Sequence, residues 1–334
     1  MAASARLAAV CASVIIFGFA GFAYYLFSSK NRKLKIETNQ SSQDNDDKQE
    51  KERSKLAPAS PQKTLKRVPS VVGLLSSEEA VVLVGMLATQ DNEQLKRVLT
   101  TIANGAAFTT NQDLIRDAGG LPLLLFLLES KSKDVQESAA NALSNVAVNH
   151  KNQIALQDLQ CSTVVVKQLN QGENSDSLQL SLLRLLTNLS VSTEWHESLL
   201  PALPRLIKYL NPDVRKDLQL QSLKALVNFS CNPDLFMQII TLKVDKSGII
   251  QLLSSEDIDI LLRLLTFLSN LATTKNMRKI SRKQFLQEGS KESTFGSVMY
   301  GKNTEELLSE LTYLKSHRDA EISNLAAKVS VNLT

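Results

Sequence analysis

The chain has 334 residues, 43% of them apolar, and a net charge of +4, enough length and apolar content for one large domain or two ordinary ones. Its three cysteines, Cys11, Cys161 and Cys231, show no paired spacing, which excludes a disulfide framework or a zinc site and suits free thiols in a reducing cytosol. Residues 1–70 hold 12 Lys/Arg against 6 Asp/Glu and the remainder 26 against 28, so the basic excess lies outside the bulk of the chain, where it fits an anionic lipid surface or a solvated linker rather than nucleic-acid binding by a folded domain.

The first element is Leu7–Phe27, LAAVCASVIIFGFAGFAYYLF, 21 residues without a charge. As a helix it rises roughly 31 Å, long enough to span a bilayer. Leu7, Ile15, Phe17, Phe22 and Phe27 are the side chains expected against lipid. Arg6 precedes the run and Lys30, Arg32, Lys33 and Lys35 follow it, a bias that keeps the C-terminal side in the cytosol. A cleaved secretory signal is the competing reading, since Gly21-Phe22-Ala23 offers small residues at the cleavage-critical positions. Against it, the apolar run continues through Tyr24–Phe27 and the basic cluster follows rather than precedes it. A buried core helix fits less well beside so polar a neighbour. The flanks suit a mitochondrial outer-membrane anchor or an endoplasmic-reticulum anchor.

Residues 28–70 are polar, charged and broken by Pro58, Pro61 and Pro69, which predicts a disordered tether. Within it Ser60-Pro61 has the form of a proline-directed kinase site, and Lys66-Arg67-Val68-Pro69-Ser70 that of a basic-directed one; such short matches also arise by chance.

The third segment, 71–334, is predicted to be folded. Ser76-Ser77-Glu78-Glu79 reads as a capping box before an apolar run. Asn211-Pro212-Asp213 and Asn232-Pro233-Asp234 read as further helix starts, and Gly119-Gly120 as the break between one unit and the next. No stretch alternates with period two, so essentially no sheet is expected.

Five short strings recur along this segment: IANGA at 102–106, LSNVA at 143–147, LTNLS at 186–190, LVNFS at 226–230 and LSNLA at 268–272. Their asparagines, Asn104, Asn145, Asn188, Asn228 and Asn270, are spaced by 41, 43, 40 and 42 residues. A period near 40 in apolar, strand-poor sequence predicts an all-α helical solenoid. Two residues before each asparagine stands Ile102, Leu143, Leu186, Leu226 or Leu268, and one residue after stands Val146, Leu189, Phe229 or Leu271 in the last four, so these must face the core. The asparagines and the residues four before them should then be exposed along one groove. Asn141, Arg184 and Lys224 occupy that second position, and Arg263 lies seven before Asn270. An asparagine amide can donate and accept to the backbone of an extended partner; alternatively it caps a neighbouring helix or satisfies a carbonyl of the adjoining repeat. Three cations along the groove predict an acidic partner segment, with solvated surface charge as the alternative.

Gly296-Ser-Val-Met-Tyr-Gly301-Lys302 has phosphate-loop spacing, but Asn303 stands where a magnesium-binding hydroxyl is needed and no strand precedes it. A nucleotide-dependent enzyme built on Gly296–Lys302 is therefore only a remote alternative. His150, His196 and His317 are isolated, and no catalytic residue, metal or cofactor is expected.

The unit GGLPLLLFLLESKSKDVQESAANALSNVAVNHKNQ, Gly119–Gln153, resembles the armadillo repeat: Gly120, Pro122, Leu124, Leu127 and Leu128 open it, and Asp134, Val135, Gln136, Ala139, Ala140, Ala142, Leu143, Asn145, Ala147 and Asn152 follow in matching places. The strings NGAAFTTNQDLIRDAGGLP (104–122), NALSNVAVNHKNQ (141–153), LLRLLTNLSV (182–191) and FGSVMYGKNTEELLSELTYLKSHRDAEI (295–322), behind a span and basic flank, are similar to the mitochondrial outer-membrane armadillo family with its X-linked members. That resemblance implies a cytosol-facing adaptor, not an enzyme. It would control mitochondrial transport, distribution and dynamics together with the mitochondrial Rho GTPase and kinesin-adaptor machinery. An endoplasmic-reticulum scaffold in a signalling complex is the alternative. The tryptophans that import receptors of this fold carry four residues before the asparagine are absent, so nuclear-import cargo is not expected.

Overall fold

The structure, a computed structural model, describes residues 73–89, 91–171, 174–281, 293–301 and 304–333. The anticipated span at 7–27, its basic flank, the tether at 28–70 with Ser60 and Ser70, and Lys302 lie outside the described residues. Among the described residues no helix is long and apolar enough to cross a membrane.

The chain opens with α1 (Ser77–Gly85), started by the anticipated capping box: Ser76 Oγ accepts from Glu79 N at 3.2 Å and Glu79 Oε2 accepts from Ser76 N at 2.8 Å. A single 3₁₀ turn leads to α2 (Asn92–Gly105), whose first turn is capped by Asp91 Oδ1, 2.9 Å from Glu93 N and 3.2 Å from Gln94 N. From there helices come in threes, two short and one long. The sets are α3 (Thr109–Asp117), α4 (Gly120–Leu127) and α5 (Lys133–Val146), then α6 (His150–Asp158), α7 (Cys161–Asn170) and α8 (Asp176–Leu189). They continue with α9 (His196–Leu199), α10 (Leu203–Lys208) and α11 (Lys216–Ser230), then α12 (Phe236–Ile240), α13 (Lys246–Leu253) and α14 (Ile258–Met277). The last set is α15 (Phe295–Tyr300), α16 (Thr304–Leu314) and α17 (Ala320–Leu333). The long helices α2, α5, α8, α11, α14 and α17 each pack on the next in chain order, which makes a solenoid.

The stacking follows from the apolar pattern. Ile102, Leu143, Leu186, Leu226 and Leu268 have no solvent exposure, nor do Val146, Leu189 and Phe229, while Leu271 retains 1%. Small residues bring helices close where they pack most tightly; Ala139, Ala140 and Ala142 are all fully buried on α5. The Gly119-Gly120 pair sits inside a set of three rather than between sets. Gly119 has φ 79°, and a Cβ on Gly120 would lie 2.8 Å from both Ile115 O and Ile115 Cγ2, so only glycine lets α3 and α4 turn this sharply.

Two further expectations need correction. Asn211-Pro212-Asp213 does not start a helix. Asn211 Oδ1 accepts from Asp213 N at 3.0 Å, and Gln219 Nε2 donates to Asn211 O at 2.8 Å, which pins the segment as a turn before α11. Asn232-Pro233-Asp234 does start one, a 3₁₀ turn capped by Asn232 and running into α12. The Gly296–Gly301 stretch, set aside above as a phosphate loop, is largely helical. Phe295–Tyr300 form α15, with Phe295, Val298, Met299 and Tyr300 buried and its N-terminus capped by Thr294 and Ser297. Phe295 N donates to Leu242 O at 3.2 Å and Ser297 N to Thr294 Oγ1 at 3.2 Å, so these amides are committed to protein rather than to phosphate. The second correction is a sixth long helix, α17, which the asparagine period misses because Asn332 follows Asn270 by 62 residues. In place of a sheet, the described residues hold one isolated bridge, Lys243 to Thr294.

Candidate functional site

The ladder asparagines lie on the long helices near their C-terminal ends, where helix carbonyls lack intrahelical partners. Ala103 and Ser144 are such carbonyls, because Ala107 N and Val148 N bond to Asn104 O and Asn145 O instead. Asn145 Nδ2 donates to Ala103 O at 2.9 Å, Asn188 Nδ2 to Ser144 O at 2.8 Å and Asn228 Nδ2 to Thr187 O at 3.1 Å. Each amide thus closes the end of the preceding long helix. Helix α11 breaks the pattern. It runs one residue further, with Cys231 N bonding Val227 O at 3.2 Å, so Asn270 Nδ2 reaches Ser230 Oγ at 3.0 Å instead.

These contacts change the expectation of a fully exposed ladder. Asn104, with no long helix before α2, is exposed; Asn141, Asn145, Asn188, Asn228 and Asn270 are half-buried. Asn145 and Asn188 each use one donor on the neighbouring repeat, and their Oδ1 atoms make no hydrogen bond among the described residues. A second N–H and an acceptor therefore remain on each amide, the pair that one peptide unit of a partner backbone can satisfy.

A second set of polar residues holds the ladder in place and escaped the sequence reading. Asn111-Gln112 and Asn152-Gln153 are buried on α3 and α6. Gln112 Nε2 donates to Ala106 O at 2.7 Å and Asn145 O at 3.3 Å; Gln153 Nε2 donates to Ala147 O at 2.9 Å and Asn188 O at 3.1 Å. Asn152 Nδ2 reaches Val146 O and Gln112 O, and its Oδ1 accepts from Arg116 Nη1 at 2.9 Å. His196 takes the asparagine's place in the next set, with Nε2 2.9 Å from Ser190 O, Nδ1 3.3 Å from Asn232 Nδ2 and its ring 5.0 Å from that of Phe229. Burial pushes the His196 pKa down, so the neutral ring donates through Nε2. The signal was present: the dipeptide Asn-Gln follows Asn104 and Asn145 by the same interval.

The anticipated cations meet on three successive long helices. Arg184 is exposed on α8, while Lys224 on α11 and Arg263 on α14 are half-buried. Burial chiefly lowers the Lys224 pKa, Arg263 and Arg184 lower it further, and Asp259 opposes them. Arg263 Nε is shut off from solvent and makes no hydrogen bond. Arg184 and Arg263 form no ion pair among the described residues, whereas Lys96 and Arg215, nearer the N-terminal ends of α2 and α11, are matched. Lys96 Nζ lies 3.0 Å from Asp134, and Arg215 Nη1 lies 3.4 Å from Asp176.

Other chemistry is quiet. Cys161 is fully buried and its thiol is pushed up to about 12, too high to react at neutral pH. Trp195 is core. Among the described residues no cluster of three or more His, Cys, Asp or Glu is placed to hold a metal.

Known proteins share this architecture. A designed armadillo repeat protein superposes with a TM-score of 0.63 at 19% identity, over 76% of this chain and all of its own length. A computationally designed armadillo repeat protein for modular peptide recognition gives 0.62 at 18% identity, over 76% of this chain and 100% of its own. A further designed armadillo repeat protein, solved in complex with the peptide (KR)4, gives 0.61 at 20% identity, over 77% and 100%. Repeat spacing, stacked long helices and these likenesses agree with the match of residues 75–296 to the armadillo-like family, to which the chain belongs.

Proposed function

We propose that this armadillo-repeat chain is an adaptor that holds an extended acidic segment of a protein partner along the face of its long helices, and that 7–27 anchors it in the mitochondrial outer membrane with that face in the cytosol. The observation that carries the binding reading is that Arg184 and Arg263, which form no ion pair among the described residues, stand on the same stack of long helices as the amides of Asn145 and Asn188, which keep a donor and an acceptor unused. Amides fix the main chain of a partner, and the cations select its charge. Asn104, Asn141, Asn228 and Asn270 extend the same track. Two relatives support the mode of binding: one was designed for modular peptide recognition, and another was solved with a basic peptide. Here the groove charge is positive, so the matching peptide is acidic.

The membrane part rests on the uncharged run Leu7–Phe27 and on Lys30, Arg32, Lys33 and Lys35 behind it. The likeness to the mitochondrial outer-membrane armadillo family supports mitochondria over the endoplasmic reticulum. It also supports the mitochondrial Rho GTPase and kinesin-adaptor machinery as partners in mitochondrial transport, distribution and dynamics. Residues 1–40 fused to a fluorescent reporter should go to mitochondria, with the reporter accessible to protease in permeabilised cells. A reticular pattern would move the adaptor to the endoplasmic reticulum, and a secreted or glycosylated reporter would overturn the topology.

A further inference from the structure

Arg184 and Lys224 hold the same register on neighbouring helices, four residues before Asn188 and Asn228, and Arg263 lies seven residues before Asn270 on the next helix. Packed helices run about 8–10 Å apart, within reach of long cationic side chains on adjacent members of the stack. Lys224 sits between the other two cations and feels both, with Asp259 as the carboxylate acting against them. Arg263 Nε is a charged-group donor held away from water with no acceptor, an arrangement that costs free energy until an anion arrives.

We propose that Arg184, Lys224 and Arg263 form a pocket for a phosphorylated side chain on the segment that the long helices hold; this rests on the groove reading above. Arg184 and Arg263 bring two positive charges that no ion pair among the described residues matches, and Lys224 stands on the helix between them. A carboxylate brings one negative charge and two oxygens. A phosphoserine brings close to two charges and three strong acceptor oxygens, one for a donor from each helix. The arginines supply planar, forked donors and Lys224 a point charge, the combination that surrounds a tetrahedral oxyanion. The asparagines one turn along then fix the main chain on either side, so the modified residue is read at one register of the groove.

The test uses the full chain in detergent micelles and fluorescence anisotropy with a short Gly/Ser peptide. One version carries a single phosphoserine, one a glutamate and one a serine at the same place. The phosphoserine peptide should bind about tenfold more tightly than the glutamate peptide, and more tightly still than the serine peptide. Arg263→Gln should erase that preference, and Arg184→Gln, at an exposed position, should reduce it without disturbing the core. Equal binding of the phosphoserine and glutamate peptides overturns the phosphoryl pocket while leaving an acidic groove intact; no binding of any peptide overturns both. Inorganic phosphate that competes as well as the phosphopeptide would assign the pocket to the free ion and overturn the peptide-linked reading. An unchanged preference in both variants also overturns it.

Discussion

Leu186→Ala should destabilise the solenoid by about 2–5 kcal/mol, read as a lowered midpoint in denaturant unfolding of the full chain. Leu186 has no solvent exposure in α8, and its truncation leaves a cavity between stacked helices that the neighbouring repeats cannot close by moving one element. Two residues on, Asn188→Ala removes one hydrogen bond, to Ser144 O at the end of α5, from a half-buried position. Its cost should be about 0.5–1.5 kcal/mol, clearly smaller than that of Leu186→Ala. Equal costs would make Asn188 wholly structural and remove it from the groove.

That contrast marks the limit of what the sequence reveals. The core positions were legible because helical geometry turns the residues two before each asparagine, and one after the last four, toward the core, and Leu186, Leu226 and Phe229 obey it. The carbonyl contacts of Asn145, Asn188 and Asn228 were legible only as one of two alternatives. Their partners are main-chain oxygens of Ala103, Ser144 and Thr187, which leave no mark in the sequence and depend on how one helix end vacates a carbonyl. The tripeptides Asn211-Pro212-Asp213 and Asn232-Pro233-Asp234 look alike and behave differently, because Gln219 reaches back to Asn211 O and holds the first as a turn. Helix α17 was hidden by the 62 residues that separate Asn332 from Asn270. The meeting of Arg184 with Lys224 followed from register alone, while the lone buried Nε of Arg263 required the packed structure.

Arg184→Glu combined with Lys224→Glu should weaken binding of an acidic (DE)4 peptide by about a hundredfold, measured by titration calorimetry with the full chain. Reversing two charges turns attraction into repulsion at the register where the asparagines hold the peptide. Arg184 is exposed and Lys224 half-buried, so helical content by circular dichroism should remain unchanged. The wild-type affinity should fall as salt rises, because part of the cluster faces solvent. Undiminished affinity in the double variant would place the peptide on another surface.

In the proposed mode of binding, the face of the long helices, and not the layer of short ones, holds the acidic segment. Hydrogen–deuterium exchange of the full chain with and without (DE)4, with (KR)4 as the charge-reversed control, tests it most directly. (DE)4 alone should add protection, concentrated toward the C-terminal halves of α5, α8, α11 and α14. Protection confined to α4, α7, α10 and α13, or stronger protection by (KR)4 than by (DE)4, would contradict it.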